Sequence, residues 1–386
     1  MAQGTLSSQK SVRVNRLAVM VAFFIDGAVL ANWAIRIPDV SEKLGLSEGP
    51  LGLALLGLSV GVVVALPMAG GLISRFSSRT VTLIAGCIMC LLLPLLALAP
   101  NFISLWVTLF VFGASNSITD IAMNAQAVEV ERLNGKPIMS SFHAFFSVGV
   151  TAGGGMGWLA RYMEVGLLPH FLLVGLLFLV VLLVAFIGLV HIDGEKGQQS
   201  AVFSLPPRSL WLLGLLAFCA AISEGAMSDW STLYLENVVG ADETSAGFGF
   251  LAFSIAMMTG RFSGDTLAAR VPPVQIVRFG GLLGAAGILM AISVPTIATA
   301  SAGFFMVGLG ISLVIPMAFS SAGNREGISP GAGIAGVATV GYAGFLAGPP
   351  IIGFVAQVAS LRVSMIFLLI LMLILAYNAR ALRSAV

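Results

Sequence analysis

Residues Phe23–Pro38 read FFIDGAVLANWAIRIP and set a carboxylate, an amide, an indole and a guanidinium inside one apolar run. Counted from Arg16 at about 1.5 Å per helical residue, Asp26 lies about 15 Å into a hydrocarbon layer roughly 30 Å thick, near its midplane. An ionisable group at that depth is costly to insert and is a functional candidate on that ground. Two readings stay open for it: a proton-carrying site, or a carboxylate kept neutral or paired with a neighbouring helix. The pattern then returns two hundred residues later. Asp26-Gly27-Ala28, Asn32-Trp33 and Gly45-Leu46-Ser47-Glu48 are echoed by Glu224-Gly225-Ala226, Asp229-Trp230 and Gly240-Ala241-Asp242-Glu243. The chain reads as one unit duplicated.

Composition agrees with a membrane span at this stretch. Of 386 residues 58% are hydrophobic and only 9% charged, against about 25% charged in soluble domains. The mean hydropathy is +1.02. Apolar runs of about 20 residues indicate helices, not the alternating ten-residue strands of a barrel, and 45 glycines with 16 prolines suit helical spans. The fold class expected is an all-α integral membrane protein. Residues 1–12 carry no apolar core followed by a cleavage site, so the first span is expected to act as the targeting signal.

Catalytic chemistry finds little support. Cys87, Cys90 and Cys219 sit in apolar runs, and His143, His170 and His191 fall near helix ends or loops. No nucleophile–base pair or metal cluster is set at matched depth, and no G-x-x-x-x-G-K-[ST] loop occurs. Neither an enzyme nor an ATP-driven pump is expected, and no cofactor, metal or nucleic-acid partner.

Cuts at charged, Pro and Gly clusters give about twelve spans: 15–37, 48–73, 80–99, 102–127, 138–160, 166–190, 209–236, 245–268, 273–294, 297–320, 331–356 and 361–382. Sorted onto alternate sides, fifteen of the 19 Lys and Arg fall with the N-terminus and only Arg36, Lys43, Arg161 and Arg362 opposite. The positive-inside rule then puts both termini in the cytoplasm. The polar stretch 191–208 reads as a cytoplasmic linker between an N-terminal bundle, 1–190, and a C-terminal bundle, 209–386. In the fifth and eleventh spans Gly149-x-x-Ala152-Gly153 matches Gly344-x-x-Ala347-Gly348, and in the fourth and tenth Phe110-x-x-Gly113 matches Phe305-x-x-Gly308. Both halves start on one side, so the repeat is parallel.

With these features the sequence resembles the major facilitator superfamily over essentially its whole length. Gly70–Arg79 is similar to that family's G-x-L-A-D-R-x-G-R-K loop: Leu72, Arg75 and Arg79 match, while Ser74 replaces Asp and Ser77 replaces Gly. W-A-x-R-I-P at Trp33–Pro38, D-x-x-M-N-x-Q at Asp120–Gln126, F-H-A-x-F-S at Phe142–Ser147 and E-G-x-x-x-D-W at Glu224–Trp230 resemble a bacterial branch typified by the YbjJ inner-membrane proteins. In outline it is similar to fucose-permease-like proton–sugar symporters. The resemblance implies two pseudo-symmetric six-helix bundles around a central cavity, alternating access, a bacterial inner (plasma) membrane and function as a monomer.

Several polar residues are candidates for that work. Asp26, Asp120 and Glu224 are candidates for proton coupling. Asn116, Asp120 and Asn124 recur at i, i+4, i+8 and share one helix face, whereas the matching positions of the tenth span are Ile311, Ile315 and Phe319. Asp120 has a second reading, a helix-end carboxylate supporting the loop with Arg75 or Arg132. Asn32, Trp33, Asn116, Asn124 and Trp230 are candidates for the substrate cavity, the two indoles either stacking on a ring-shaped ligand or anchoring at the interface. Arg36 and Asp229 are expected near the outer helix ends as a gate pair, and Arg75 and Arg79 at the loop are further gate candidates. The expected function is a secondary active transporter, proton-coupled, carrying a small polar metabolite such as a sugar. The alternative is a proton-driven exporter of drugs or metabolites, against which the fifth span, Gly149–Gly157, lacks the Pro of the exporter signature.

Overall fold

A computed structural model of the chain describes residues 2–135, 138–191 and 206–382, with side chains from Val12 onward except those of residues 265 and 330. Of the expected linker, residues 192–205 lie outside the described residues, as do the side chains of Lys10, Lys136, Lys196 and Arg383 used in the charge sorting.

The described chain is helical and contains no strand. Its helices are α1 (Ala2–Ile35), α2 (Ile37–Leu44), α3 (Glu48–Phe76), α4 (Ser78–Leu98), α5 (Phe102–Asn134), α6 (Met139–Tyr162) and α7 (Leu167–Phe186). The second half continues with α8 (Trp211–Tyr234), α9 (Glu243–Ala268), α10 (Pro273–Ser293), α11 (Ile297–Ile311), α12 (Val314–Gly323), α13 (Pro330–Val358) and α14 (Leu361–Asn378). Ten helical stretches are long and apolar enough to cross a membrane. The fifth and eighth predicted spans correspond to α6 and α9, of 24 and 26 residues. Leu173, Leu176, Val180 and Val184 line an exposed row of α7, as suits contact with lipid.

One span departs from its prediction. The tenth is split into α11 and α12 at Ser312–Leu313. Pro316 has no N–H to donate to the Ser312 carbonyl one turn earlier, which breaks the ladder at that point.

Contacts divide the chain into two compact units. One holds the described residues within Met1–Trp33, Gly57–Ala160 and Glu164–Gln198, the other those within Ala34–Leu56, Arg161–Met163 and Gln199–Val386. In the first, α1 meets α6 backbone to backbone. A Cβ on Gly149 would fall on the Phe24 carbonyl oxygen, and one on Gly153 on that of Ala28. A Cβ on Gly113 of α5 would likewise meet the Leu58 carbonyl of α3. The second unit repeats this pattern, with Gly344 of α13 against Phe218 of α8 and Gly308 of α11 against Phe253 of α9. Gly113 and Gly308 are 195 positions apart, and so are Leu58 and Phe253. Small residues let helices associate closely where lipid offers no hydrophobic driving force.

Polar groups at helix ends fix the connections. Gln126 of α5 donates from Nε2 to Ser78 Oγ at 2.7 Å and to the Val190 carbonyl at 2.9 Å, and its Oε1 accepts from Val190 N at 2.8 Å. Glu131 accepts from the amides of Ile138 and Met139, both at 2.7 Å, and so caps the start of α6. Asp242 caps α9 by accepting from the amides of Thr244 and Ser245 at 3.0 Å. Hydrogen bonds from Ser245 first, and from Thr244 after it, hold the Asp242 carboxyl below its ordinary pKa. This stabilisation is present above the unfolded pKa of about 3.9 and is lost as pH falls through the folded value. Thermal scans of Asp242→Ala should therefore show a lowered midpoint at neutral pH and a gap to the parent that closes in acid.

Candidate functional site

The first unit gathers the polar face that the spacing predicts. Asp26, on α1, is only 2% exposed. Asn116 of α5 donates from Nδ2 to both of its carboxylate oxygens, at 3.1 and 3.2 Å. Among the described residues no Lys or Arg forms an ion pair with Asp26. One turn further along α5, Asp120 accepts from Asn124 Nδ2 at Oδ1, 3.0 Å, and at its backbone carbonyl, 2.8 Å. Asp26, Asn116, Asp120 and Asn124 thus form two carboxylate–amide pairs spaced one turn apart along α5.

The loop-supporting reading of Asp120 is corrected. Arg132 pairs with Glu129 at 2.7 Å, and Arg75 lies over the Phe76 ring at 5.2 Å. The other loop arginine, Arg79, donates to the Phe186 carbonyl at 3.2 Å and lies 4.3 Å over the Phe186 ring, fastening the start of α4 to the end of α7.

Asn32 is taken up by packing within its own unit. It is fully buried, donates to the Ala28 carbonyl at 2.8 Å and meets His170 Nε2 of α7 through Oδ1 at 2.9 Å. It is a tie between α1 and α7. Trp33 and Trp230 are also packed into the interior, 1% and 0% exposed, so neither presents a ring face for stacking.

In the second unit Glu224, the counterpart of Asp26, is paired with Arg261 of α9 at 2.9 Å. Of the two acids that the repeat equates, Asp26 has no cation partner among the described residues, whereas Glu224 has one. The expected pair of Arg36 with Asp229 is not formed. Arg36 meets Asp39 at 2.8 Å, and the Asp229 carboxylate has no hydrogen bond or ion pair among the described residues. Arg161 binds Asp39 at 2.8 Å and Glu236 at 2.9 Å. Asp39 and Glu236 escaped the sequence reading, although the topology puts both at the same helix ends as Arg36 and Arg161, where opposite charges find each other.

A family model described as Major Facilitator Superfamily matches residues 18–325. The chain is 37% identical over 366 residues to an uncharacterised MFS-type transporter of Yersinia pestis, covering 95% of each chain. It is 32% identical over 377 residues to membrane protein MosC of Rhizobium meliloti, covering 95% of this chain and 89% of that one. In fold it is similar to a solved structure of nucleoside transporter NupG, with a TM-score of 0.71, 14% identity and coverage of 95% and 98%. A bacterial homologue of the human lysosomal transporter Spinster, in an inward-facing and occupied conformation, gives a TM-score of 0.73 at 13% identity, with coverage of 94% and 95%.

Proposed function

The chain belongs to the major facilitator superfamily, and from that premise we propose a secondary active transporter that works by alternating access and couples proton movement to symport of a small polar metabolite, sugar-like or related. Its place is a bacterial plasma membrane with both termini in the cytoplasm, and it works as a monomer. The observation that carries the proton coupling is Asp26, buried and, among the described residues, hydrogen-bonded by the Asn116 amide without a cation. A carboxylate neutralised by an arginine keeps its charge fixed, whereas one held by a neutral amide has its charge changed by a proton alone. Protonated Asp26 keeps one oxygen free to accept from Asn116. Loading and unloading the proton then leaves the hydrogen-bond partner in place. Glu224, paired with Arg261, has the opposite character and serves as a fixed charge. Asp120 lies one turn from Asn116 and is the second candidate on the proton's path.

The test uses proteoliposomes and a panel of sugars, polyols, vitamins and nucleosides, the last because NupG is described as a nucleoside transporter. Ligands are found by thermal shift, since binding at 100 times Kd adds about 2.7 kcal/mol to the native state. Asp26→Asn should then abolish accumulation driven by a pH gradient while preserving exchange at equal pH. Full uphill transport by this variant would remove the assignment.

A further inference from the structure

We propose that Arg161 is the latch of a gate that holds one end of the protein shut, a reading that rests on the transport function above. Arg161 is the last but one residue of α6, and its side chain is 2% exposed. Every nitrogen of its guanidinium is engaged. Nη2 lies 2.8 Å from Asp39 Oδ2 and 2.9 Å from Glu236 Oε1, Nε reaches the same Asp39 oxygen at 3.1 Å, and Nη1 donates to the Glu243 carbonyl at 2.8 Å. Arg36 takes the other oxygen of Asp39 at 2.8 Å. Arg36, Asp39 and Arg161 come from the first copy of the repeat, Glu236 and Glu243 from the second.

A second contact joins the two copies at the same helix ends. The amide of Gly49, in the first turn of α3, donates to Gln357 Oε1 near the end of α13 at 3.1 Å. A Cβ on Gly52 would lie 2.6 Å from the Pro349 carbonyl oxygen, and one on Gly353 2.6 Å from that of Glu48. This is backbone against backbone. The end of α1, the start of α3, the ends of α6, α8 and α13 and the start of α9 all belong to one face by the alternation of the spans.

A carrier that opens to one side at a time has to part its two copies at this face once per cycle. The glycine contact is close but uncharged and involves one side-chain hydrogen bond. The Arg161 cluster is different in kind. Removing one member of a buried charge set leaves its partners uncompensated, so the cluster decides whether the face stays closed. Lysine cannot replace Arg161 fully, because a single ammonium does not offer the fork that reaches two carboxylates and a carbonyl together.

The test is a cross-link in the purified full chain. A Cβ at Gly49 lies 3.4 Å from the Gln357 Cβ, close to the separation in a disulfide. Cys87, Cys90 and Cys219 are replaced by alanine, and Gly49→Cys is combined with Gln357→Cys. On mild oxidation this parent should form an intramolecular link, read by mass and by gel shift after cleavage in the 191–208 segment. Arg161→Ala should lower the rate of linking by about tenfold or more, and Arg161→Lys should fall between. If Arg161→Ala does not fold, Glu236→Gln with Asp39→Asn removes the same pairs. No link in the parent, or an unchanged rate in both cluster variants, would overturn the latch. The link forms without substrate, so its outcome is separate from that of the Asp26→Asn transport assay.

Discussion

Valine in place of Gly113 should eliminate folded protein. The first added carbon would already fall on the Leu58 carbonyl oxygen, and that oxygen belongs to helix backbone, so it cannot rotate aside. Relief requires α3 and α5 to separate along their length. Overpacking against flexible side chains costs about 1–3 kcal/mol, and here the neighbour is rigid. Gly308→Val should fail in the same way, because Gly308 stands against the Phe253 carbonyl. The contrast is Gly71→Val, where nothing lies within 4 Å of an added Cβ. Size-exclusion profiles in mild detergent should show the parent peak for Gly71→Val and aggregate for the other two. A normal peak for Gly113→Val would mean that α3 and α5 are not in backbone contact.

Gln126→Leu should give the second largest loss. The leucine fills similar space but leaves Val190 N and the Val190 carbonyl without the partners that Gln126 supplies at 2.8 and 2.9 Å, and takes one hydrogen bond from Ser78 Oγ. Gln126 is fully buried. Each polar group orphaned away from water costs about 1–3 kcal/mol, so the loss from the two Val190 groups should be about 2 kcal/mol or more. It should concentrate where α7 leads into the linker, and limited proteolysis should cut there first. Arg132→Ala provides the comparison. The Arg132 side chain is 75% exposed in its pair with Glu129, and its removal should change stability by less than about 0.5 kcal/mol.

Position along each helix was legible in the sequence, because apolar runs and charge clusters mark where a helix begins and ends. Eleven of the twelve predicted spans accordingly match one helix each and the tenth matches two, and the i, i+4, i+8 spacing of Asn116, Asp120 and Asn124 set them on one face of α5. Direction around the helix was less legible. Asn32 lies six residues past Asp26, about 240° around the helix after one full turn, and that angle turns it to His170 of α7 rather than to the Asp26 face. Trp33, seven residues on, does share the face of Asp26, but no spacing within one helix tells whether a neighbour covers it. The pairs of Arg161 join elements far apart in the chain, and only tertiary packing could choose Asp39 and Glu236 for it, whereas Arg36 takes Asp39 three residues on, a local partner that the reading of depth passed over in favour of Asp229. The break at Ser312 had a visible cause in Pro316, yet the hydropathy of 297–320 runs through it without interruption.

The glycine contacts and the α5 face together bear on how a duplicated gene divides its labour. Positions 113 and 308 both hold glycine against a carbonyl, whereas positions 116, 120 and 124 hold Asn, Asp and Asn, and their counterparts 311, 315 and 319 hold Ile, Ile and Phe. Selection for assembly acts on both descendants, since each must pack its own helices or be degraded. Selection for chemistry needs only one. The second copy can therefore hold an apolar row there without penalty to the fold, and the two halves share their packing while differing in the polar groups they present.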